Sequence, residues 1–341
     1  MDRKLITFTV PCYNSEAYME HCIDSLLTAG DRAEILIVND GSTDRTGEIA
    51  AHYQERYPNI CRVLTQENGG HGAGINHGLK EARGFYFKVV DSDDWLDEEA
   101  LHRTMDLLEK LEPQGGVDLL VTNYVYDNTD PGLTKTIHYR NVFPQECMIG
   151  WERTRYFRPW QYLCMHASTH RTQLLRDIGI RLPEHTFYED NLFSYLPLPY
   201  VRKICYLNAD LYHYLIGREG QSVEEDILKR RCTHQVQVSR LMFEAYDLAQ
   251  IRREQPKLAR YLIHALIFFM VLATAFTRLN NTAEADRKVR EMWKVLKAEN
   301  RPLAHRLKYH SLATLLNFPG HGGRMFAIAC YRLGHKFLAF N

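Results

Sequence analysis

The sequence predicts an α/β protein, in which helices flank a mostly parallel sheet and a helical C-terminal extension follows. Three observations lead to this prediction. Short apolar runs alternate with helix-periodic segments through the first third of the chain, and a polar turn follows each of four such runs. From about residue 224 the pattern is helical to the end of the sequence. Strands that alternate with helices indicate a parallel sheet with both faces covered.

Five segments have the composition of buried strands, because each is a short run of apolar and β-branched residues bounded by turn residues. The first, LITFTV, is closed by Pro11, and the fourth, FYFKVVD, runs directly into Asp91. The predicted strands cover residues 5–10, 34–40, 60–66, 85–91 and 117–127.

Helix-periodic segments lie between these strands. EAYMEHCIDSLLTA follows the first strand, and GSTDRTGEIAAHYQERY follows the second with Ser42, Thr43 and Asp44 as candidate N-caps. INHGLKEA and DEEALHRTMDLLEKLE follow the third and fourth strands. Ligands bind beyond the carboxyl ends of parallel strands. The turns PCYN, NDGSTD, ENGGHGAGIN and DSDDW are therefore expected together at one rim of the sheet.

The pattern divides the chain into two regions. Residues 1–223 are predicted to form the α/β domain, with halves at 1–125 and 126–223, and residues 224–341 the helical region. The second half of the α/β domain is rich in Trp, Tyr, Pro and Arg, and its pattern is weak. Beyond it, helical segments are predicted over residues 224–249, 256–276 and 283–299.

The composition is that of a soluble globular protein. The chain has 341 residues, of which 45% are hydrophobic and 25% charged, and its formal net charge is zero. Residues 1–100 contain twice as many Asp and Glu as Lys and Arg, whereas residues 301–341 contain Lys and Arg but no Asp or Glu. The balanced total and the acidic rim argue against nucleic-acid binding.

Cysteine spacing and the N-terminus indicate a reducing, cytosolic compartment. The 8 cysteines form no CxxC pair and no metal-finger spacing, and MDRKLITFTVP has neither a signal-length apolar stretch nor a cleavage site. The longest apolar run, ALIFFMVLATAF, is shorter than the roughly 20 residues that span a bilayer. It is interpreted as a buried helix, with a membrane-dipping segment as the alternative.

The DSDDW turn places Asp91, Asp93 and Asp94 at the end of an apolar strand. Such carboxylates can cap the next helix, lie in solvent, or hold a hard cation, which prefers oxygen ligands. The strand directs Asp91 to the rim, and Asp93 follows two residues later, so both can face one point. The residues alone leave these alternatives open.

The other rim turns are also ambiguous by themselves. ENGGHGAGIN lacks the GK[ST] of a P-loop and fits either a tight turn or close backbone approach to a ligand. Asp40 can form an Asx turn or accept a hydrogen bond from a base, and Tyr13 can lie in a simple turn or stack on a base.

Together, these motifs resemble a known family. V-P-x-Y-N, V-N-D-G-S-T-D, E-N-x-G and V-D-S-D-D-W, in this order and spacing, are similar to glycosyltransferase family 2. The similarity is close over residues 4–125 and looser to about residue 222. It implies the GT-A fold and inverting transfer, with a nucleotide-sugar-binding half over 1–125 and an acceptor-binding half over 126–223.

The resemblance implies roles for residues at the rim. Pro11 and Tyr13 would line the nucleoside pocket, Asp40 would bind the base, and Asp91 would contact the ribose side. Asp93 would ligate the Mn²⁺ or Mg²⁺ held by the diphosphate, and spacing alone does not decide whether the next Asp shares this role. The implied nucleotide-sugar residues are Pro11, Tyr13, Asn14, Asp40, Gly70, Asp91, Ser92 and Arg218, and the implied metal ligands are Asp93, Asp94 and His213.

The second half is expected to supply the catalytic base. FYEDNLF resembles the family's E-D element, in which the Asp deprotonates the acceptor hydroxyl, so Asp190 is the expected base and Glu189 a supporting or acceptor-binding residue. Taken alone, this segment fits a helix cap beside a surface acid. His213 and Arg218 resemble the flexible loop over the donor phosphates, and His166 has either a structural role or a substrate contact.

The chain departs from the family pattern in one place. Members often carry a basic residue in an A-R-N segment after the glycines, where residues 74–76 of this chain are G-I-N. A phosphate contact is then missing, or His71, His77 or Lys88 supplies it.

The sequence therefore predicts a cytoplasmic, metal-dependent, inverting transferase that moves a sugar, expected from a UDP-sugar, onto a hydroxyl of a glycan or lipid-linked glycan. The absence of Q-x-x-R-W argues for transfer of one residue at a time. The basic, apolar tail suggests contact with the inner face of the cell membrane. Two alternatives are a non-catalytic scaffold on a decayed transferase domain and a sugar-phosphate nucleotidyltransferase.

Overall fold

The computed structural model describes residues 4–128, 134–217, 224–311 and 313–338. It divides into two compact units, which are described separately. Unit 1 comprises Met1–Phe157 and Leu163–Leu215, and unit 2 comprises Arg158–Tyr162 and Ile216–Asn341. The expected domain boundary at residue 223 stays a prediction, because it falls in a segment outside the described residues.

Unit 1 is built on a nine-stranded sheet in the described part of the chain. The strands are β1 Ile6–Cys12, β2 Ala33–Asp40, β3 Cys61–Gln66, β4 Tyr86–Val89, β5 Trp95–Leu96, β6 Leu119–Asn128, β7 Thr134–Ile137, β8 Ser168–Arg171 and β9 Ile204–Ile216. Their order is β3-β2-β1-β4-β8-β6-β9-β5, and β7 pairs with β6 at the side.

The parallel part of the sheet consists of β1 to β4. β1 pairs in parallel with both β2 and β4, and β2 pairs in parallel with β3. Residues such as Phe8, Val10, Ile35 and Ile37 are completely buried, which explains the continuous apolar runs of these strands. The carboxyl ends of β1, β2 and β4 therefore lie side by side, as the sequence predicts.

Beyond β4 the pairing is antiparallel, as in β4 with β8, β6 with β8, β6 with β7, and β5 with β9. β6, β7 and β8 follow one another without an α-helix in the described chain. A parallel neighbour requires a crossover connection, usually a helix. The prediction of parallel strands therefore holds for the first four strands and not for the second half of unit 1.

Helices cover the sheet of unit 1. They are α1 Met19–Leu27, α2 Thr46–Arg56, α3 His71–Glu81, α4 Glu98–Leu111, α5 Thr172–Asp177 and α6 Asp190–Tyr195. Asp97 caps α4 by accepting a hydrogen bond from Ala100 N at 2.8 Å. Of the predicted caps of α2, the Asp44 carboxylate accepts from Thr46 N at 3.0 Å, and Ser42 and Thr43 precede the helix.

Glycines bring α3 into close contact with β1. A Cβ on Gly78 would lie 2.3 Å from Thr9 Cγ2, and a Cβ on Gly74 would lie 3.0 Å from Pro11 Cβ. Side chains at these positions would push the helix away from the strand. This close packing holds the first turn of α3 beside the carboxyl end of β1.

Unit 2 is helical in its described residues. Its helices are α7 Glu225–Glu244, α8 Leu248–Glu254, α9 Pro256–Leu279, α10 Ala283–Glu299, α11 Arg301–Tyr309, α12 Ala313–Leu316 and α13 Gly320–Leu338. α9 contacts α7, α8, α10, α12 and α13. It is long and apolar enough to cross a membrane, but 72% of its most apolar window is buried inside the structure. This packing agrees with the expected buried helix.

Candidate active site

The DSDDW turn lies at the carboxyl end of β4, next to the end of β1. Asp94 N donates to Asp91 O at 3.0 Å, which closes the turn. The Ser92 hydroxyl lies 2.8 Å from that of Ser15, a residue that follows β1. The predicted rim is therefore formed by side chains from separate strands.

Asp94 is completely buried and is held by β9. Its carboxylate accepts hydrogen bonds from the Tyr212 hydroxyl at 2.6 Å and from Leu215 N at 3.0 Å. The same hydroxyl accepts a hydrogen bond from Asp91 N at 3.1 Å. Burial and the nearby Asp91 carboxylate raise the pKa of Asp94 well above its usual value.

His71, the first residue of α3, bridges two carboxylates. Its Nε2 lies 2.8 Å from Asp91 Oδ1, and its Nδ1 lies 2.7 Å from Glu189 Oε1. Burial by itself would lower the pKa of His71, but Asp91 and Glu189 together raise it well above its usual value. An imidazole donates from both nitrogens only when it carries both protons. The ring of His71 can therefore donate to both carboxylates at once only as the doubly protonated cation, which the raised pKa favours.

Glu189 and Asp190 stand at the start of α6. Glu189 is buried and faces His71, whereas Asp190 is partly exposed. Burial and then the neighbouring Glu189 raise the pKa of Asp190 to about 7. A carboxyl with this pKa can accept a proton near neutral pH, because a base works best when its pKa is close to the working pH.

Asp40 binds the glycine-rich turn of its own chain. Its carboxylate accepts from Gln66 Nε2 at 2.7 Å, Asn68 Nδ2 at 3.1 Å, Gly69 N at 2.9 Å and Gly70 N at 2.8 Å. The residue is 2% exposed, and a carboxylate offers about four lone-pair sites. A contact between Asp40 and a base stays a prediction, and it would require one of these donors to be displaced.

The turn after β1 presents an exposed aromatic ring. Tyr13 is 54% exposed. Asn14 adopts φ +50° and its side chain accepts from Thr43 N at 2.9 Å, while Asn14 N donates to Ser42 Oγ at 3.1 Å. The PCYN and NDGST turns are thus joined, and the ring of Tyr13 is accessible for stacking.

His213 does not belong to the possible metal-ligand group found among the described residues. Its Nδ1 is hydrogen-bonded to Asp127 Oδ2, and its ring stacks on Trp95 with centroids 5.3 Å apart. Asp93 is partly exposed in the DSDDW turn. The metal-binding roles of His213 and Asp93 stay predictions.

The structure instead groups His166 with two of the aspartates. One potential ligand atom each from Asp91, Asp94 and His166 lies within 4.8 Å of the others. The ring of His166 packs on those of Tyr212 and Tyr214, and its Nδ1 is buried without a hydrogen-bond partner. Burial lowers the pKa of His166 to about 4, so the ring is neutral and can bind a cation. Two carboxylates and an imidazole fit Mn²⁺, and the carboxylates fit Mg²⁺.

The three possible replacements for the missing basic residue have different positions. His77 Nδ1 bonds to Gln66 Oε1 at 2.8 Å. Lys88 is completely buried and donates to His166 O at 2.7 Å, and burial lowers its pKa to about 7. Of the three, His71 is the residue that contacts a carboxylate of the DSDDW turn. Arg218 lies outside the described residues.

Sequence comparison decides the family of this chain. The sequence profile of Glycosyl transferase family 2 matches residues 7–175. Uncharacterized glycosyltransferase EpsJ from Bacillus subtilis (strain 168) is 32% identical over 303 residues, which cover 84% of this chain and 83% of EpsJ. The chain belongs to glycosyltransferase family 2. This confirms the family and the enzyme class predicted from the motifs, and it argues against a nucleotidyltransferase.

Solved structures share the fold of this family 2 glycosyltransferase. S. aureus TarS 1-349 in complex with UDP-GlcNAc has a TM-score of 0.60 at 21% identity, over 97% of this chain and 92% of that chain. Mannosyltransferase PcManGT from Pyrobaculum calidifontis in complex with GDP-Man and Mn²⁺ has a TM-score of 0.52 at 18% identity, over 98% and 88%. These similarities confirm the predicted GT-A fold with a helical C-terminal part.

Two features of the site were not predicted from the sequence. The contact of His71 with Glu189 joins residues 118 positions apart, and no local pattern signals it. Tyr212 was visible only as one aromatic residue in the β-like stretch YLNADLYHYLI. Neighbouring residues of a strand face opposite sides of the sheet. The position of Tyr212 next to His213 was therefore the sequence feature that could have placed Tyr212 on the opposite face from His213.

Proposed function

We propose that this glycosyltransferase transfers a sugar from a nucleoside-diphosphate sugar, with UDP as the nucleotide, to a hydroxyl of a glycan acceptor, and that Asp190 is the general base. The observation that carries the proposal is the hydrogen-bonded chain Asp91–His71–Glu189. It places Asp190, whose pKa is about 7, one residue from a side chain that is linked to the DSDDW turn.

The donor would lie along the rim formed by β1, β2 and β4. The exposed ring of Tyr13 is available to stack on the base beside Pro11, and Asn14 shapes the adjoining turn. Gly70, with φ +84° at the start of α3, would let the backbone approach the diphosphate closely. Asp91 and Ser92 would contact the ribose side.

Asp91, Asp94 and His166 would hold the divalent cation, Mn²⁺ or Mg²⁺, and Asp93 is a further candidate ligand in the same turn. When bound, the cation supplies positive charge to the diphosphate oxygens. The buried Asp94 and its bond to Tyr212 hold the carboxylates in place. This arrangement fits a metal-dependent transferase.

The transfer is a single displacement at the anomeric carbon. Asp190 takes the proton of the acceptor hydroxyl, and the hydroxyl oxygen forms a bond to the anomeric carbon as the bond from that carbon to the diphosphate breaks. The electron pair of the broken bond leaves on the nucleoside diphosphate. Because attack occurs opposite the leaving group, the anomeric configuration inverts.

The choice of UDP rests on similarity to TarS, which binds UDP-GlcNAc, whereas PcManGT binds GDP-Man. Calorimetric titration of UDP, GDP, ADP and CDP, each with Mn²⁺ and with EDTA, tests the proposal. We expect binding of UDP that requires the cation. A preference for GDP would show that the donor nucleotide is GDP and would leave the proposed mechanism unchanged. Absence of binding by all four nucleotides would contradict the proposed function.

We further propose that the enzyme works in the cytoplasm at an anionic membrane surface and that its acceptor is a lipid-linked glycan. α13 supports this, because Met325, Phe326 and Leu333 are 44%, 43% and 56% exposed, and they lie at helical spacing on its outer face. The opposite face buries Ala327 and Ile328. Residues 301–341 contain no acid that would repel anionic lipids.

A further inference from the structure

We propose that His71 is a positioning residue that couples the donor side of the active site, through Asp91, to the acceptor side, through Glu189. This inference rests on the proposed function, because Asp91 is assigned to the donor and Glu189 stands beside the base. It adds a role for a residue that lies about one helical turn before the usual basic position of the family, at residues 74–76.

The geometry allows one ring to hold both acids. The two ring nitrogens of His71 make hydrogen bonds of 2.8 Å to Asp91 and 2.7 Å to Glu189. An imidazole is rigid, so the distance between these two carboxylates is set by the ring itself. A shift of either carboxylate must then move the ring and with it the other carboxylate.

The backbone around His71 is fixed by contacts with the segment that leads to Glu189. A Cβ on Gly72 would lie 2.7 Å from Pro183 O and 3.0 Å from Glu189 Cγ. His185 N donates to Gly69 O at 2.7 Å. The first turn of α3 and residues 183–189 therefore form one packed unit, and the ring has little freedom to turn away.

A second pair of contacts fixes the same two segments one helical turn later. The side chain of Asn76 donates to Leu182 O and accepts from Leu182 N, both at 2.9 Å. This exchange resembles the pairing of two strands and does not involve His71. The segments therefore have an attachment of their own, so removal of the imidazole is expected to uncouple the acids without separating the segments.

The His71 ring holds a buried carboxylate. Glu189 is buried, and the His71 ring is the partner that the described structure gives its carboxylate. An unpaired buried polar group is costly, so this hydrogen bond fixes the position of the Glu189 side chain. Replacing Glu189 by Gln weakens one end of the bridge, and the ring carries this change to Asp91.

The coupling predicts an interaction between nucleotide binding and a residue that the nucleotide does not touch. Residues that share one network show interaction energies that correspond to roughly 2-fold to 100-fold in a binding constant. We expect Glu189→Gln to change the Kd of UDP measured with Mn²⁺ by about 3-fold to 10-fold when His71 is present. In a His71→Gln background the same change is expected to alter Kd by less than about 2-fold.

The experiment is calorimetric titration of UDP with Mn²⁺ into the wild-type chain, His71→Gln, Glu189→Gln and the double variant. The matched control is His77→Gln, because His77 lies on the same helix and bonds to Gln66. Glu189→Gln is expected to keep its effect on Kd in this background. A role of His71 in folding alone would give the same effect of Glu189→Gln in all backgrounds, which would overturn the inference.

The remaining outcomes distinguish failure of the coupling from failure of the proposed function. Binding of UDP with no effect of Glu189→Gln overturns the coupling and leaves the proposed function in place, whereas absence of nucleotide binding by the wild-type chain overturns both. If His71→Gln does not fold, as judged by thermal unfolding, His71→Asn is used in its place. At saturating donor, His71→Gln is also expected to lower kcat more than it raises the KM of the acceptor.

Discussion

The hydroxyl of Tyr212 lies 2.6 Å from Oδ2 of Asp94 and accepts the N–H of Asp91 at 3.1 Å. One phenol group on β9 thus fixes both ends of the DSDDW turn. The ring is completely buried, and Lys88 Nζ lies 5.3 Å from its centre. The second half of unit 1 therefore orders carboxylates that the first half supplies.

Tyr212→Phe is expected to destabilise the protein by about 1–3 kcal/mol, because a buried donor and acceptor both lose their partner. The urea midpoint of unfolding, followed without nucleotide, measures this loss. Tyr57→Phe, the same change at the end of α2, is the control and should leave the midpoint near that of the wild type. An unchanged midpoint for Tyr212→Phe would show that water or a rearranged side chain satisfies Asp94.

Asp190→Asn is expected to lower kcat by about 10²–10⁴-fold, because the amide cannot accept the acceptor proton. Nucleotide affinity should stay within a factor of about two, since no hydrogen bond joins the Asp190 side chain to the DSDDW turn among the described residues. Release of nucleoside diphosphate and calorimetry give the two quantities. Glu55→Gln, an exposed acid on α2, serves as the control. Full transfer by Asp190→Asn would exclude this residue as the base.

The pH dependence of kcat should follow Asp190. Its folded pKa is raised to about 7, mainly by burial, so the carboxyl is protonated and inactive below that pH. We expect kcat to fall about tenfold for each pH unit below 7 and to level off above it. A profile with the donor saturating tests this. A midpoint near 4, the ordinary value for an aspartate, would contradict the role of burial.

The rim of the sheet could be predicted because strand ends are local features. Asp91 follows an apolar strand and Asn14 follows β1, so the parallel arrangement alone brings their turns together. The start of α3 could not be placed as well. The helix begins at His71, four residues before the predicted segment, because Gly70 supplies a turn with φ +84°.

The acceptor side of the site was less predictable for a physical reason. Glu189 reaches His71 through residues 182–189, a segment without strand or helix periodicity. β6, β7 and β8 also lack the intervening α-helices whose alternation with strands indicates a parallel order in the first half. Which of His166 and His213 lies beside Asp91 and Asp94 depends on how their rings pack in three dimensions. Spacing in the sequence does not encode this packing.

His166→Ala is expected to raise the Mn²⁺ concentration needed for half-maximal UDP binding by about tenfold or more, because loss of groups at a metal site typically costs 10–100-fold. His213→Ala should have a smaller effect, since His213 pairs with Asp127. Calorimetry with UDP over a series of Mn²⁺ concentrations makes the comparison. The opposite order would place the cation beside His213. Full transfer and metal-dependent binding by Asp93→Ala would exclude Asp93 as a ligand.

The outer face of α13 is the surface that we expect to bind lipid. Replacing Met325 and Phe326 by Ser removes two exposed apolar side chains, each worth about 1–2 kcal/mol when buried. We expect at least a tenfold loss of binding to vesicles that contain phosphatidylglycerol, and weak binding of the wild type to phosphatidylcholine alone. Leu241→Ser on α7 is the control, because Leu241 is exposed to a similar degree. Co-sedimentation measures both. If the double variant instead changes a dimer to a monomer in the absence of lipid, this face binds a second copy of the chain.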